Sequence, residues 1–405
     1  MALQSYLQKV IREGALTMRL PSGQLLTLGD GSGPPVAIAI TSRRWLARIA
    51  ANPSMGVGEA YMDEGLVFEQ GDMAGLIDLI GRNAKHRPLK RAGPLARWWL
   101  DRRLQANARR AARRNVAHHY DLSVDFYRRF LDPDLQYSCA YFPHPGVGLE
   151  EAQRAKKTHL AAKLLLERGQ RVLDIGCGWG GLALSLVQAE AVSVDGVTLS
   201  TEQLATAAAR AEAAGLASRA RFSLTDYRDV QGPYDRIVSV GMFEHVGRPN
   251  YQAYFDKVAA LLAENGVAVI HSIGRAEGPA FTQPWIARYI FPGGYIPALS
   301  EVMPCVERAG LIVADVEILR LHYAETLKAW RERFEANRAE IARIYDARFC
   351  RMWEFYLCIS EMAFRHRGHF VFQLQLAKRI DTVPITRDYI ADAEARLARP
   401  ARQVA

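Results

Sequence analysis

The sequence predicts an α/β protein whose larger part is a doubly wound parallel sheet. Two observations lead to this prediction: from Arg171 onward five β-like runs alternate with helical runs, and a glycine-rich loop follows the first of them. Such alternation is typical of parallel sheets with helices on both faces. The strand candidates are RVLDIG, AVSVDGVTL, RARFSLTDY, YDRIVSVG and GVAVIHSIG, and the helix candidates are Leu182–Gln188, Glu202–Ala214 and Tyr251–Leu262.

The chain outside this region carries weaker patterns. Up to about residue 80, the β-like runs LTMRLPSG, LLTLG and VAIAI are separated by turn residues, and a helical stretch follows at Met73–Gly81. This mixture predicts a smaller N-terminal α+β unit. Leu95–Val116 has no helix breaker and predicts one helix, and a helical segment is expected from about Tyr323 to Lys378.

The positive charge of the chain is concentrated in one stretch. The 405 residues include 52 Lys or Arg and 43 Asp or Glu, which gives a net charge of +9. Arg82–Asn115 alone contains twelve basic residues and a single acid, Asp101, so the remainder is close to neutral. The sequence therefore indicates an ordinary globular protein with a local basic segment, rather than a uniformly basic one.

Several classes of protein are disfavoured. The longest run without a charged residue, Ile175–Ala189, is glycine-rich and too short to span a bilayer. The N-terminus MALQSYLQKVIREG lacks the apolar region of a secretory signal. Five cysteines without CxxC spacing favour neither a disulfide framework nor a zinc site, so we expect a reduced, cytoplasmic compartment and no metal.

The glycine-rich loop indicates a ligand site. In VLDIGCGWGG the glycines Gly176, Gly178 and Gly181 match the dinucleotide pattern G-x-G-x-x-G, and they precede a helix N-terminus. Asp174 is unusual for a dinucleotide fold and suits a bound ammonium group instead. Asp195, where a ribose-binding acid would be sought, is expected inside the second strand. A dinucleotide, S-adenosylmethionine and a purely structural turn all remain open on these residues alone.

The ordered motifs DIGCGWGG, GVTLSTEQ, DRIVSVGMFEHVG, HSIG, IFPGGYIP and HYAETLKAW resemble the cyclopropane-fatty-acid and mycolic acid synthase family. NVAHHYDLSVDFY, YSCAYF and GEAYMDEG are similar as well, so the resemblance covers most of the chain. It implies a Rossmann-like class I S-adenosylmethionine-dependent methyltransferase domain over 116–405, with insertions that form an acyl-chain pocket. Residues 1–115 would hold the smaller N-terminal α+β domain and the basic linker, in contact with lipid.

The resemblance also implies an activity. A methylene group would pass from S-adenosylmethionine to a cis double bond of an unsaturated phospholipid acyl chain, with bicarbonate as the base that allows the cyclopropane ring to close. The alternatives are alkene methylation without ring closure and a methyltransferase for RNA or a small molecule. The implied catalytic residues are Cys139, Glu244, His271, Tyr323 and the backbone of Ile273. The implied cofactor residues are Tyr137, Ser138, Asp174, Gly176, Gly178, Thr198, Gln203, Asp226 and Tyr227.

Taken one at a time, the catalytic candidates have ordinary structural interpretations. Cys139 would be a small buried side chain, His271 a core histidine, Tyr323 a packing residue and Glu244 a helix cap. Only their positions inside the matching motifs favour catalysis. One departure concerns the late helix, where many members carry a cysteine at the position of Ser360; no catalytic role is assigned to the neighbouring Cys358.

The basic stretch has three interpretations. Its arginines could neutralise nucleic-acid phosphates, bind an anionic membrane surface together with Trp98 and Trp99, or form a solvated linker. A phospholipid substrate requires access to a bilayer, so the membrane is favoured over nucleic acid. We therefore expect a cytoplasmic enzyme peripherally associated with the inner membrane. Because the family includes dimers, a homodimer is also expected.

Overall fold

The computed structural model describes residues 7–86 and 122–397, which form two compact units. The first unit comprises 7–86, Thr282–Pro292 and Ala324–His369, and the second comprises 122–281, Gly293–Tyr323 and 370–397. The predicted division into 1–115 and 116–405 differs from this arrangement, because two later segments belong with the N-terminal residues. The predicted helix Leu95–Val116 lies outside the described residues.

The first unit contains a four-stranded sheet in the order β2-β1-β3-β4. Its strands are β1 (Ala15–Arg19), β2 (Leu25–Leu28), β3 (Pro35–Ile40) and β4 (Leu66–Gln70). β1 runs antiparallel to β2 and parallel to β3, and β3 runs antiparallel to β4. The helices of this unit are Arg43–Ala51, Pro53–Met62, Met73–Arg82, Pro284–Tyr289, most of His322–Ala336, Arg338–Ile344 and Ala347–His366. The predicted small α+β unit is present, with an additional strand and additional helices.

Late helices join the N-terminal residues through both packing and polar contacts. The Tyr61 hydroxyl donates a hydrogen bond of 2.5 Å to the buried Glu354. A Cβ atom placed on Gly81 would lie 2.6 Å from Met362 Cγ, so the two helices approach at a glycine. Contacts between residues so far apart in the sequence cannot be recognised from the sequence alone. The predicted domain boundary was therefore placed after the basic stretch, at 115/116.

The second unit is built on a seven-stranded sheet in the order β10-β11-β9-β8-β5-β6-β7. Its strands are β5 (Arg171–Ile175), β6 (Ser193–Thr198), β7 (Ala220–Leu224), β8 (Tyr234–Val240), β9 (Leu262–Arg275), β10 (Ile312–Leu319) and β11 (His369–Ala377). β5 to β9 form parallel pairs, and β10 pairs antiparallel with β11. All five predicted strands are present.

Helices cover both faces of this sheet. They are Val124–Arg128, Leu149–Leu164, Gly181–Ala189, Thr201–Ala213, Tyr251–Leu261, Leu299–Arg308 and Asp388–Leu397. Successive residues of a strand point to opposite faces. Accordingly Val172 packs in one buried apolar cluster and Leu173 in another. The three predicted helices of this region are confirmed within one or two residues.

The predicted helical segment from Tyr323 to Lys378 is wrong at its end. His369–Ala377 is a strand in the large sheet, second from its edge, and it pairs with β10, a further strand that was not predicted from the sequence. Gly368, with a φ of +69°, separates this strand from the preceding helix. The alternating run HFVFQLQLA was the available signal, since period-two alternation after a glycine is typical of a strand. Among the described residues, none of the helices has the length and apolar character to cross a membrane.

Candidate active site

A cavity opens at the carboxyl edge of the large sheet, where β5 lies between β6 and β8. The next strands along the chain, β6 and β7, lie on one side of β5, and β8 and β9 lie on the other side. Open α/β sheets bind ligands where the strand order reverses in this way. Every predicted cofactor residue lines the cavity: Tyr137, Ser138, Asp174, Gly176, Gly178, Thr198, Gln203, Asp226 and Tyr227. Other residues that line the cavity were not predicted from the sequence, among them Gln136, Trp179, Met242, His245 and Asn250.

The glycine loop needs its glycines for conformation and for space. Gly176, Gly178 and Gly180 have φ values of +83°, +54° and +80°, in the left-handed region that side chains disfavour. A Cβ on Gly176 would also lie 2.9 Å from Met242 Cβ. The loop therefore keeps its backbone exposed to the cavity, ahead of the helix Gly181–Ala189.

Asp174 is a buried carboxyl group at the end of β5. Its side chain is 1% exposed, and Oδ2 makes no hydrogen bond among the described residues. Burial raises the pKa of Asp174 to about 7, while the nearby Lys156 acts in the opposite direction. Since a buried acceptor without a partner is costly, this atom fits a ligand that brings a positive donor such as ammonium.

The end of β6 presents neutral polar groups. Thr198 Oγ1 donates to Gln203 Oε1 over 2.8 Å, which leaves the Gln203 amide nitrogen as a donor. Ser200 caps the next helix by accepting the N–H of Gln203. These groups suit the hydroxyls of a ribose.

Asp195 lies inside β6, as predicted, and is already paired. Its carboxylate accepts hydrogen bonds from Arg171 and Arg221 at 3.1 Å each, and from the Tyr234 hydroxyl at 3.1 Å. The acid of a dinucleotide site must instead reach the ribose. This arrangement disfavours the dinucleotide interpretation.

Asp226 reaches the cavity in partnership with a residue that sequence analysis missed. The Arg228 guanidinium donates to both Asp226 oxygens, at 2.8 and 2.6 Å. Tyr227 packs edge-on against Tyr254, and burial raises the pKa of Tyr227 to about 12. Both predicted residues therefore border the cavity, but the Asp226 carboxylate is not a free acceptor.

Glu244 and Ile273 lie together although they are 29 residues apart. Glu244 is in the turn Phe243–His245 after β8, and its Oε1 accepts the Ile273 N–H over 2.7 Å. Its Oε2 has no partner among the described residues, and burial raises the pKa of Glu244 to about 7. A carboxyl group with this pKa can hold or release a proton near neutrality.

His271 lies inside β9, within the strand candidate GVAVIHSIG and not beyond its end, because β9 continues to Arg275. The backbone oxygen of His271 accepts the Gly241 N–H over 2.9 Å. Its Nδ1 lies 3.2 Å from Gln373 Nε2 on β11. Burial, together with Lys156 and other cations, lowers the pKa of His271 well below its usual value, so the ring is neutral.

Cys139 and Tyr323 lie on two chain segments that are connected by a hydrogen bond between Phe142 and His322. Cys139 is 1% exposed, and its thiol donates to the Ala140 carbonyl over 3.2 Å. Tyr323 follows His322, whose Nδ1 accepts the Phe142 N–H over 3.0 Å. The segments that carry the two candidates are thus joined. All five predicted catalytic positions lie outside the described lining of the cofactor cavity.

The strand order, the glycine loop and the cavity at the carboxyl edge define a class I S-adenosylmethionine-dependent methyltransferase. Residues 107–374 match the model of a family described as mycolic acid cyclopropane synthetase. The chain belongs to this family.

Full-length relatives extend the match beyond that region. The chain is 38% identical to the cyclopropane-fatty-acyl-phospholipid synthase of Escherichia coli K12, over 87% of this chain and 90% of the relative. It is also 38% identical to the tuberculostearic acid methyltransferase UfaA1 of Mycobacterium tuberculosis, over 82% and 80%.

Solved structures agree with this placement. The cyclopropane synthase MmaA2 from Mycobacterium tuberculosis has a TM-score of 0.63 and 33% identity, covering 66% of this chain and 98% of MmaA2. The mycolic acid cyclopropane synthase CmaA1, complexed with S-adenosylhomocysteine and CTAB, has a TM-score of 0.62 and 34% identity, covering 65% and 97%.

Proposed function

We propose that the protein transfers a methylene group from S-adenosylmethionine to a cis double bond in the acyl chain of an unsaturated phospholipid. The products would be a cyclopropane lipid, S-adenosylhomocysteine and a proton. The observation that carries this proposal is the hydrogen bond between the buried Glu244 and the Ile273 N–H, on a turn whose residues Met242 and His245 line the cavity, in a chain that matches cyclopropane synthases along most of its length.

The cavity supports the cofactor part of the proposal. When bound, S-adenosylmethionine supplies a methyl group activated by the sulfonium charge. Asp174 Oδ2 would accept from the ammonium group, Gly176 and Gly178 would allow close approach of the backbone, and Thr198 and Gln203 would contact the ribose. Tyr137 and Ser138 would border the methionine end, and Asp226 and Tyr227 the adenine.

The chemistry on the lipid sets the remaining requirements. The alkene π electrons attack the electrophilic methyl group and leave a carbocation on the acyl chain. A base must then remove a proton from the transferred methyl so that the ring can close. Water must be excluded because it would trap the cation as an alcohol. The aromatic face of Tyr323 would stabilise the cation.

We propose bicarbonate as the base, held by Cys139, Glu244, His271 and Tyr323, with the backbone of Ile273 at the same site. A buried carboxyl group with a pKa of about 7 supports this choice, since protonated Glu244 can donate to an anion. The neutral His271 ring offers a second N–H donor. The Ile273 N–H already donates to Glu244, so its contribution would be to orient that side chain.

Methylation without ring closure is the second candidate, because a relative of equal identity is named a tuberculostearic acid methyltransferase. The two reactions share the first bond-forming step and differ in the fate of the cation. Incubation with S-adenosylmethionine and liposomes of unsaturated phospholipid, followed by acyl-chain mass analysis, separates them. A gain of one CH2 unit that resists hydrogenation indicates a ring, and one that takes up hydrogen indicates a methylene branch. No change in mass on any unsaturated lipid would refute both.

A further inference from the structure

Lys156 is a fully buried cation directly behind the cofactor cavity. Its side chain is 0% exposed, and it projects from the helix Leu149–Leu164. Its Nζ donates to Gln136 Oε1 over 2.6 Å and to Ser138 Oγ over 2.8 Å. Both acceptors line the cavity, whereas Lys156 itself does not. A buried charge is retained at considerable cost, so its contacts call for an explanation.

Because the Lys156 ammonium group can only donate hydrogen bonds, it determines that its partner atoms act as acceptors. Lysine has three donors and no acceptor, so Ser138 Oγ must accept from Lys156. The Ser138 hydroxyl proton is then available to donate elsewhere, and this residue borders the cavity. Gln136 is oriented in the same way, because its oxygen faces Lys156 and its Nε2 donates to Asp134 over 2.9 Å.

The same helix holds the backbone of this segment. Gln153, which is 1% exposed, donates through Nε2 to the carbonyl oxygens of Gln136 and Ser138, at 3.2 and 3.0 Å. Backbone and side chain of Ser138 are therefore both fixed by residues one helical turn apart. A hydroxyl held in this way is a preorganised donor.

Asp174 supplies the negative group of the cavity, and its Oδ2 has no hydrogen-bond partner among the described residues. A donor at Ser138 and an anion at Asp174 together complement a zwitterion that carries both a carboxylate and an ammonium group. We propose that Lys156 is the positioning residue for the donor half of this polarity, because it occupies Ser138 Oγ as an acceptor and so directs the Ser138 hydroxyl proton toward the carboxylate of the cofactor's amino-acid end. This inference rests on the cofactor assignment of the proposed function.

The charge state of Lys156 is consistent with this role. Burial lowers the pKa of Lys156 to about 8, so it is mostly protonated at neutral pH. Its charge lowers the pKa of Asp174 against the effect of burial. The titratable groups that interact with Lys156 are Asp132, Asp134, Lys157, Cys139, Asp174 and His271.

Calorimetric titration of the full chain with S-adenosylhomocysteine tests the inference, with Lys156→Met compared with the wild type from about pH 6 to pH 9. We expect the affinity of Lys156→Met to fall about 10- to 100-fold near neutrality, as for a lost charge-assisted contact. The pH below which binding weakens should also rise, because Asp174 without Lys156 is protonated more readily. Lys157→Met is the matched control, because the adjacent Lys157 forms its ion pair with Asp134, whereas Lys156 donates to Ser138.

A second variant keeps the test decisive if Lys156→Met fails to fold. Ser138→Ala should lose affinity for S-adenosylhomocysteine but not for an analogue that lacks the carboxylate. Equal losses of affinity for both ligands in Ser138→Ala would overturn this inference but not the proposed function. Unchanged affinity and pH dependence in a folded Lys156→Met would do the same. Absence of binding by the wild type would overturn the proposed function as well.

Discussion

Replacing Glu244 with glutamine should abolish turnover and at the same time stabilise the protein at neutral and alkaline pH. Glu244 is buried, and its pKa rises from the ordinary 4.5 to about 7. The native state therefore binds a proton more tightly than the unfolded chain does, and stability falls as pH increases from the lower value to the higher. Above both values the ionised carboxylate costs about 3 kcal/mol. Glutamine removes this cost, while its side-chain oxygen can still accept the Ile273 N–H.

The assay compares urea unfolding of the wild type and Glu244→Gln at about pH 5 and about pH 8. The stability advantage of the variant should be about 2 to 3 kcal/mol larger at the higher pH, because only there is the wild-type carboxylate ionised. Turnover should fall by about 100-fold or more, while S-adenosylhomocysteine affinity stays within about twofold. An advantage that does not change with pH would refute the assigned ionisation, and unimpaired turnover would refute the catalytic role.

Four further outcomes are expected. Gly176→Ala, which forces a Cβ to within 2.9 Å of Met242 at a positive φ, should cost about 1 to 3 kcal/mol of stability and abolish S-adenosylhomocysteine binding in calorimetry. Asp195→Asn should lower the melting temperature by a few degrees without changing that affinity, and a large loss of affinity would revive a nucleotide-contact role. Cys358→Ala should retain turnover, because the buried thiol is held protonated by a raised pKa; loss of turnover in a folded variant would assign it a function. Charge reversal in the basic stretch should weaken sedimentation with anionic liposomes and spare cofactor affinity, and unchanged sedimentation would identify a linker; the residues to change are Arg109, Arg110, Arg113 and Arg114.

Much of the fold was predictable because its signals are local. The alternation of apolar runs and breakers predicted β5 to β9 and the helices between them, and the structure confirms these elements. The antiparallel pair of β10 and β11 was not predicted, because the two strands are separated by three helices and the apolar residues of β11 follow the last of these helices almost directly. The units were divided differently because Glu354 contacts Tyr61 across nearly three hundred residues of sequence.

For the site, too, some features were predictable from the sequence and others were not. The sequence alone determined the glycine loop, the family and nine of the residues that line the cavity, since these depend on short motifs that can be recognised without coordinates. Only the tertiary structure decided that Glu244 bonds Ile273, that Arg228 holds Asp226, and that Lys156 lies buried behind Ser138. The physical reason is that a pKa and a hydrogen-bond direction depend on burial and on neighbours within a few ångströms. Packing brings those neighbours together from distant parts of the chain.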